Sequence, residues 1–231
     1  LLNLIFKDLY TDQRLIKEGI VPAEIIFAHK SFLPEVFNFE NQNYYSLRFY
    51  AADISRGPDG KFLVINDRTQ SPSGLGYAIE NRLTMNSISN DLYPNIEILK
   101  IAKFIEGFKS MLKSLSSSNQ ENPLIALLTP GPLNETYFEH SYLSSFLDLT
   151  LVQGEDLLVK NNFLWLKSLN GLRRVDTLIR RVDSQYCDPL ELRNDSQLGV
   201  AGLVNVVRKD NLSIINPIGV GILENIGLNP F

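Results

Sequence analysis

Residues 124–152 read LIALLTPGPLNETYFEHSYLSSFLDLTLV, and this stretch decides the fold class. Residues 124–128 form a short all-apolar run, which suits a strand buried on both faces. Thr129, Pro130, Gly131 and Pro132 break it. A helix is expected from Asn134, a reasonable N-cap, with Tyr137, Phe138, Leu143, Phe146 and Leu147 as its apolar positions. A further strand is expected at 150–152.

Downstream, residues 157–160 and 163–167 predict a hairpin around Asn161 and Asn162. Residues 175–180 predict a strand, 198–208 a helix, and 212–216 a last strand. Strands that alternate with helices imply an α/β unit with a largely parallel sheet. Upstream, the spacing of Leu1, Leu4, Ile5, Leu9, Leu15 and Ile16 predicts a helix broken around residues 10–12 and ended by Gly19 and Pro22. A second helix start is possible within 23–36. Residues 44–54 and 61–67 read as paired strands joined by Gly57, Pro58, Asp59 and Gly60. A helix is expected from Tyr77 through Glu80 and Leu83. Another follows Pro94, with Ile98, Ala102, Ile105, Leu112 and Leu115 as its apolar stripe. The polar stretch 116–123 is the best linker, and a domain break is expected between Leu115 and Leu124.

Composition narrows the class. Apolar residues make up 44% of the 231 residues, enough for a core, and charged residues 21%. The net charge of −4 argues against a basic nucleic-acid binder. A single cysteine, Cys187, rules out a disulfide framework and a cysteine-built zinc site. No apolar run approaches the ~18–20 residues of a membrane helix, and the charged first residues do not read as a signal peptide. A cytoplasmic protein without a membrane or nucleic-acid partner is the expectation. The missing initiator Met and the abrupt end at ENIGLNPF suggest a fragment.

There is no Walker loop, GxGxxG, HExxH or GxSxG motif, and His29 and His140 lie far apart. The richest stretch in polar chemistry is 53–82, with Asp53, Arg56, Asn66, Asp67, Arg68, Gln70, Glu80, Asn81 and Arg82 around a Pro-Ser-Gly-Leu-Gly loop. Carboxylates hold Mg²⁺ and arginines neutralise phosphoryl oxygens, although a solvated hairpin with surface ion pairs has the same composition. Pro58 suits the first corner of a three-residue loop that pairs Gly57 with Lys61 and, counting outward, Asp53 with Ile65. In that register Asp67 shares a face with Asp53, a diagonal neighbour at roughly 7–8 Å. A two-residue turn would place Asp53 opposite Asn66 and aim Asp67 the other way. The first register is the expected one because Pro58 fits it.

The run DRTQSPSGLGYAIENR (67–82) resembles the signature of the circularly permuted ATP-grasp proteins of type 2, a group related to glutathionylspermidine synthase. The likeness continues through TPGPLNETYFEHSYL (129–143), GLRRVDTLIRRVDSQYCDPLELR (171–193) and NPIGVGILE (216–224), so it covers nearly the whole chain. It implies a partial ATP-grasp lobe at 1–118. After it, at 123–231, would come a Rossmann-like pre-ATP-grasp domain and the start of the next lobe. The implied activity is an ATP- and Mg²⁺-dependent carboxylate–amine ligase that works through an acylphosphate on small-molecule or peptide substrates. In related ligases an acid, followed on the next strand by an acid-x-Asn pair, holds the metal. Here the first acid falls on Asp53 and the pair on Asn66 and Arg68, a departure that leaves Asp67 as the nearest substitute. The resemblance further suggests Arg68 as a phosphoryl contact, Glu80 and Asn81 as catalytic, and Ser73 and Gly74 as nucleotide-binding. Asn134, Glu135, Arg180 and Arg181 line the carboxyl edge of the sheet, where substrates gather. Arg180 and Arg181 are expected to point to opposite sides; Glu139 is placed to orient an amine and His140 to brace. The rival expectation is a non-catalytic binding or scaffold protein of the same fold.

Overall fold

The computed structural model describes residues 1–88, 100–116, 122–228 and 230–231. Three short helices open the chain, α1 (Leu2–Leu9), α2 (Arg14–Lys17) and α3 (Ala23–Phe27). The hairpin β1 (Ala51–Arg56) and β2 (Phe62–Arg68) follows, then helices α4 (Leu75–Ile88) and α5 (Ile101–Ser114). The next segment is β3 (Ile125–Leu128), α6 (Tyr137–Leu147) and β4 (Thr150–Val152). A meander of β5 (Leu157–Lys160), β6 (Phe163–Ser168) and β7 (Gly171–Arg174) leads into β8 (Thr177–Arg180), α7 (Leu203–Arg208) and β9 (Ser213–Ile215).

The parallel sheet has the order β4-β3-β8-β9, with every neighbouring pair parallel. Its short apolar strands alternate their side chains between two layers, as the two-residue strand period requires. Leu127, Ile179 and Ile215 face one cluster with Phe49, Ile79 of α4, Ile105, Phe108 and Leu112 of α5, and Leu143 and Leu147 of α6. Ala126, Leu128, Leu178 and Ile214 face the other, with Phe6 and Leu9 of α1, Ile26 of α3, Leu164 of β6 and Val204 of α7. Helices therefore cover both faces of the sheet, and the α/β class follows.

The expected division at 118/123 does not divide the packing. Side chains from both sides of it fill the same two clusters: α1, α3 and α7 contribute to one, and α4, α5 and α6 to the other. Ser117 to Glu121 of the expected linker lie outside the described residues, as does Ile98 of the expected stripe.

Other departures have local causes. Tyr44 and Tyr45 are not in a strand. They belong to a single 3₁₀ turn, Gln42–Tyr45, whose buried rings are held by Tyr44 Oη on the Ile218 carbonyl (2.7 Å) and Tyr45 Oη on the Val36 carbonyl (3.1 Å). Helix α7 begins at Leu203, not 198. Gly199 lies so close to the Cys187 backbone that a Cβ would stand 2.3 Å from its carbonyl oxygen, and Gly202 is left-handed at φ +84. The polar run at 171–174 is a strand that alternation did not reveal, because Arg173 and Arg174 pair with Leu166 and Trp165 of β6.

Candidate functional site

Strands β3, β8 and β9 end side by side, so the loops that follow them crowd one edge. Ligands gather at this carboxyl edge in open α/β sheets. The segment from Thr69 to Gly76, which joins β2 to α4, is docked across it. Glu224 accepts from the backbone N–H groups of Thr69 (2.5 Å) and Gln70 (2.7 Å). The Gln70 side-chain carbonyl accepts from Ser184 N (3.0 Å). Arg181 donates to the Pro72 carbonyl, and Glu139 Oε1 accepts from Gly74 N (2.8 Å) and Gly76 N (3.0 Å). Asn216 closes the inner end: its amide donates to the carbonyls of Phe49 (2.6 Å) and Thr69 (2.5 Å) and accepts from Phe49 N (2.9 Å). Beside Gln70 a polar cleft of about 260 Å³ opens, lined among others by His29, Lys30, Asp183, Gln185, Gly221 and Glu224.

Two buried charges face the docked loop. Glu139 has no exposed surface, and Arg181 is 7% exposed with its guanidinium over the Phe49 ring. Burial pulls the Arg181 pKa down, and the Glu139 carboxylate opposes the shift. Among the described residues, Glu139 Oε2 and Arg181 Nε are both buried without a hydrogen-bond partner. Glu139 therefore occupies the start of α4, where backbone N–H groups and the helix dipole favour an anion. It satisfies the Gly74 amide that a phosphate would otherwise use, and Ser73 stays exposed.

His140 is the middle of a hydrogen-bonded chain. Its Nδ1 lies 2.9 Å from Thr129 Oγ1 and its Nε2 lies 3.1 Å from Thr136 Oγ1. Gly131 N donates to Thr129 Oγ1, and Thr136 Oγ1 donates to Asn134 Oδ1 (2.6 Å). A neutral imidazole protonated on Nε2 satisfies every group in this chain. Burial, assisted by Arg181, lowers the His140 pKa to about 4.

Of the residues expected to bind substrate, Asn134, Arg180 and Arg181 are engaged within the protein. Asn134 spends its side-chain oxygen on Thr136, whose backbone N also donates to it (2.9 Å), and α6 starts only at Tyr137. Glu135 is exposed. Arg180 is buried and donates to three carbonyls, those of Asn216 (2.7 Å), Val182 (2.9 Å) and Pro217 (2.9 Å). It braces the loop after β9, while Arg181 points to the opposite side, toward Pro72. Glu80 and Asn81 are exposed on α4, where Glu80 accepts from the Tyr142 hydroxyl. Glu224, Ser184 and Asn216, which hold the loop, carry no motif as single residues. The one signal of them was their place inside the strings 171–193 and 216–224.

The hairpin corrects the expected register. Near the turn the ladder is the one Pro58 predicts: Gly57 N donates to the Lys61 carbonyl, and Arg56 pairs with Phe62. Between Val64 and Asn66 the extra residue Ile65 forms a bulge, so Asp53 stands opposite Asn66, and Ala52 opposite Asp67. Asp53 and Asp67 therefore point to opposite faces and do not share a cation. Arg68, on the Asp53 face, puts Nε (3.1 Å) and Nη2 (2.8 Å) on Asp53 Oδ2. Asp67 accepts from the Tyr50 hydroxyl (2.7 Å), whose pKa is pushed up to about 12 by burial and by this carboxylate. Among the described residues no three His, Cys, Asp or Glu side chains are grouped to hold a metal. Mg²⁺ demands several hard oxygen ligands, and this hairpin does not fit it.

The model of the circularly permuted ATP-grasp type 2 family matches residues 1–231. The chain belongs to this family. Among similar proteins of the ATP-grasp family type is an uncharacterized protein of Mycobacterium tuberculosis, 38% identical over 231 residues, which are all of this chain and 26% of that protein. An uncharacterized protein of Synechocystis sp. is 34% identical over 224 residues, 97% of the chain and 47% of the relative. One of Mycobacterium leprae is 33% identical over 221 residues, 96% and 39%. The chain thus spans between about a quarter and a half of these relatives. The ATP-grasp strings 67–82, 129–143, 171–193 and 216–224, separate in sequence, meet at the one carboxyl edge through Gln70, Glu139, Arg181, Ser184 and Glu224. Among the described residues no helix is long and apolar enough to cross a membrane.

Proposed function

We propose that this chain is the loop-presenting part of an ATP-dependent carboxylate–amine ligase. The observation that carries this reading is the docking of Thr69 to Gly76 on the carboxyl edge by Glu139, Arg181, Ser184 and Glu224. Ordinary surface turns are not held by two buried charges, because burying them costs more than a solvated turn returns. Holding a loop this way makes sense where its geometry has to be set before a ligand arrives. In the proposed reaction a substrate carboxylate oxygen attacks the γ-phosphorus and ADP leaves. An amine then attacks the acyl carbon and phosphate leaves, which gives an amide. The cleft beside Gln70, lined by Lys30 as well as by Asp183 and Glu224, suits a substrate that carries both charges.

The test uses the full-length protein with ATP, a panel of carboxylates and hydroxylamine as a surrogate amine. A ligase forms the hydroxamate and releases ADP and phosphate in equal amounts. A protein that binds ATP and every carboxylate tried, yet forms neither hydroxamate nor ADP, refutes the reading. The Asp53–Arg68 pair favours a second reading, a non-catalytic binding protein of the same fold, and that outcome would support it.

A further inference from the structure

We infer that the hairpin carries its own cation: the Arg68 guanidinium takes the place beside Asp53 that a divalent metal would need, and this face binds no metal ion. Three observations converge. Two guanidinium nitrogens lie on Asp53 Oδ2, at 3.1 and 2.8 Å, so the acid is already neutralised and hydrogen-bonded. The residue directly opposite Asp53 is Asn66, a neutral side chain. The next acid, Asp67, is turned to the other face by the bulge at Ile65 and held there by Tyr50. An incoming Mg²⁺ would have to displace a charge-assisted pair and would find one carboxylate where it needs a cluster. Arg68 and Asp53 are about half exposed, with side chains at 52% and 50%, so the pair is accessible to exchange, and its persistence is a matter of competition rather than enclosure. The rest of the guanidinium can meet a phosphate oxygen directly, as a fixed charge that does not depend on the metal carried by a nucleotide. This inference concerns one face of the hairpin and holds for the ligase and for the non-catalytic reading alike.

The experiment is Mn²⁺ binding to the purified chain, followed by the loss of the free-ion electron paramagnetic resonance signal, with Mg²⁺ calorimetry beside it. The wild-type protein is expected to show no saturable binding that depends on Asp53, so that Asp53→Asn changes nothing. The double variant Asn66→Glu/Arg68→Asn sets two acids and a neutral oxygen donor on one face. It is expected to bind Mn²⁺ at least about tenfold tighter, and adding Asp53→Asn is expected to abolish the gain. All substituted side chains are partly or largely exposed, and circular dichroism checks that each variant keeps the fold. Saturable binding to the wild type that Asp53→Asn removes would overturn the inference. A folded double variant that gains nothing would overturn it as well. Neither result bears on hydroxamate formation, so the two proposals fail separately.

Discussion

Glu139 has no exposed surface, and two backbone amides of the docked loop depend on its side chain. Removing one partner of such a buried arrangement leaves the others unsatisfied, at about 3–5 kcal/mol. Glu139→Ala should lose roughly that much in urea unfolding, while Glu139→Gln, which keeps an acceptor, should lose less. Equal stability of Glu139→Ala and wild type would mean that the loop does not need this anchor. His140 sets a pH dependence. Its folded pKa of about 4 lies below the ordinary imidazole value of 6.5, so between these pH values the unfolded chain binds the extra proton. Stability should therefore fall as pH drops from 6.5 toward 4, by about 3 kcal/mol in all. His140→Gln should remove this contribution, and the His140 ring should show no titration by NMR above pH 5. At this scale the bracing role of His140 was legible from its helix position. The roles of Arg180 and Asn216 were not, since their partners are backbone carbonyls and amides that no side-chain pattern announces.

Helix α4 leaves the docked loop at a glycine set against α6. A Cβ on Gly76 would stand 2.8 Å from Glu139 Cγ, and Glu139 is itself pinned to the loop. Gly76→Ala should cost about 1–3 kcal/mol by overpacking, visible as a lowered Tm. An unchanged Tm would show that α4 shifts freely. Elements whose pattern is local were readable. Strand β4 and the pair β5 and β6 stand where alternation, apolar runs and the Asn161-Asn162 turn place them, with the end of β6 one residue further on. The hairpin at 51–68 was readable near its turn, where Pro58 and Gly60 dictate geometry, and misread beyond it. A bulge in the middle of LVIN has no glycine to mark it, and one unannounced residue moved Asp67 to the other face. The carboxylate pair failed for that reason and not for lack of acids.

Over the whole molecule, packing ignores the polar stretch that marks 116–123 as a linker. Both sheet faces draw on residues from before and after it. A chain split between Ser116 and Asn122 and co-expressed should yield two pieces that purify together. Residues 1–116 alone should aggregate or remain unfolded, since Ile105, Phe108 and Leu112 would lose the sheet they cover. A soluble, cooperatively unfolding 1–116 piece would support the two-unit division. Composition shifts mark where a chain is polar; they do not say whether the flanking helices return to the same sheet. The hydrogen bonds from the Thr69 and Gln70 backbone N–H groups to Glu224 close sequence separations of 155 and 154 residues. On a ribosome, the signature segment emerges long before the acid that seats it. A nascent chain halted before residue 216 would display Thr69 to Gly76 with neither Asn216 nor Glu224 to hold it, and this edge of the sheet would take shape only after residue 224 had left the ribosome.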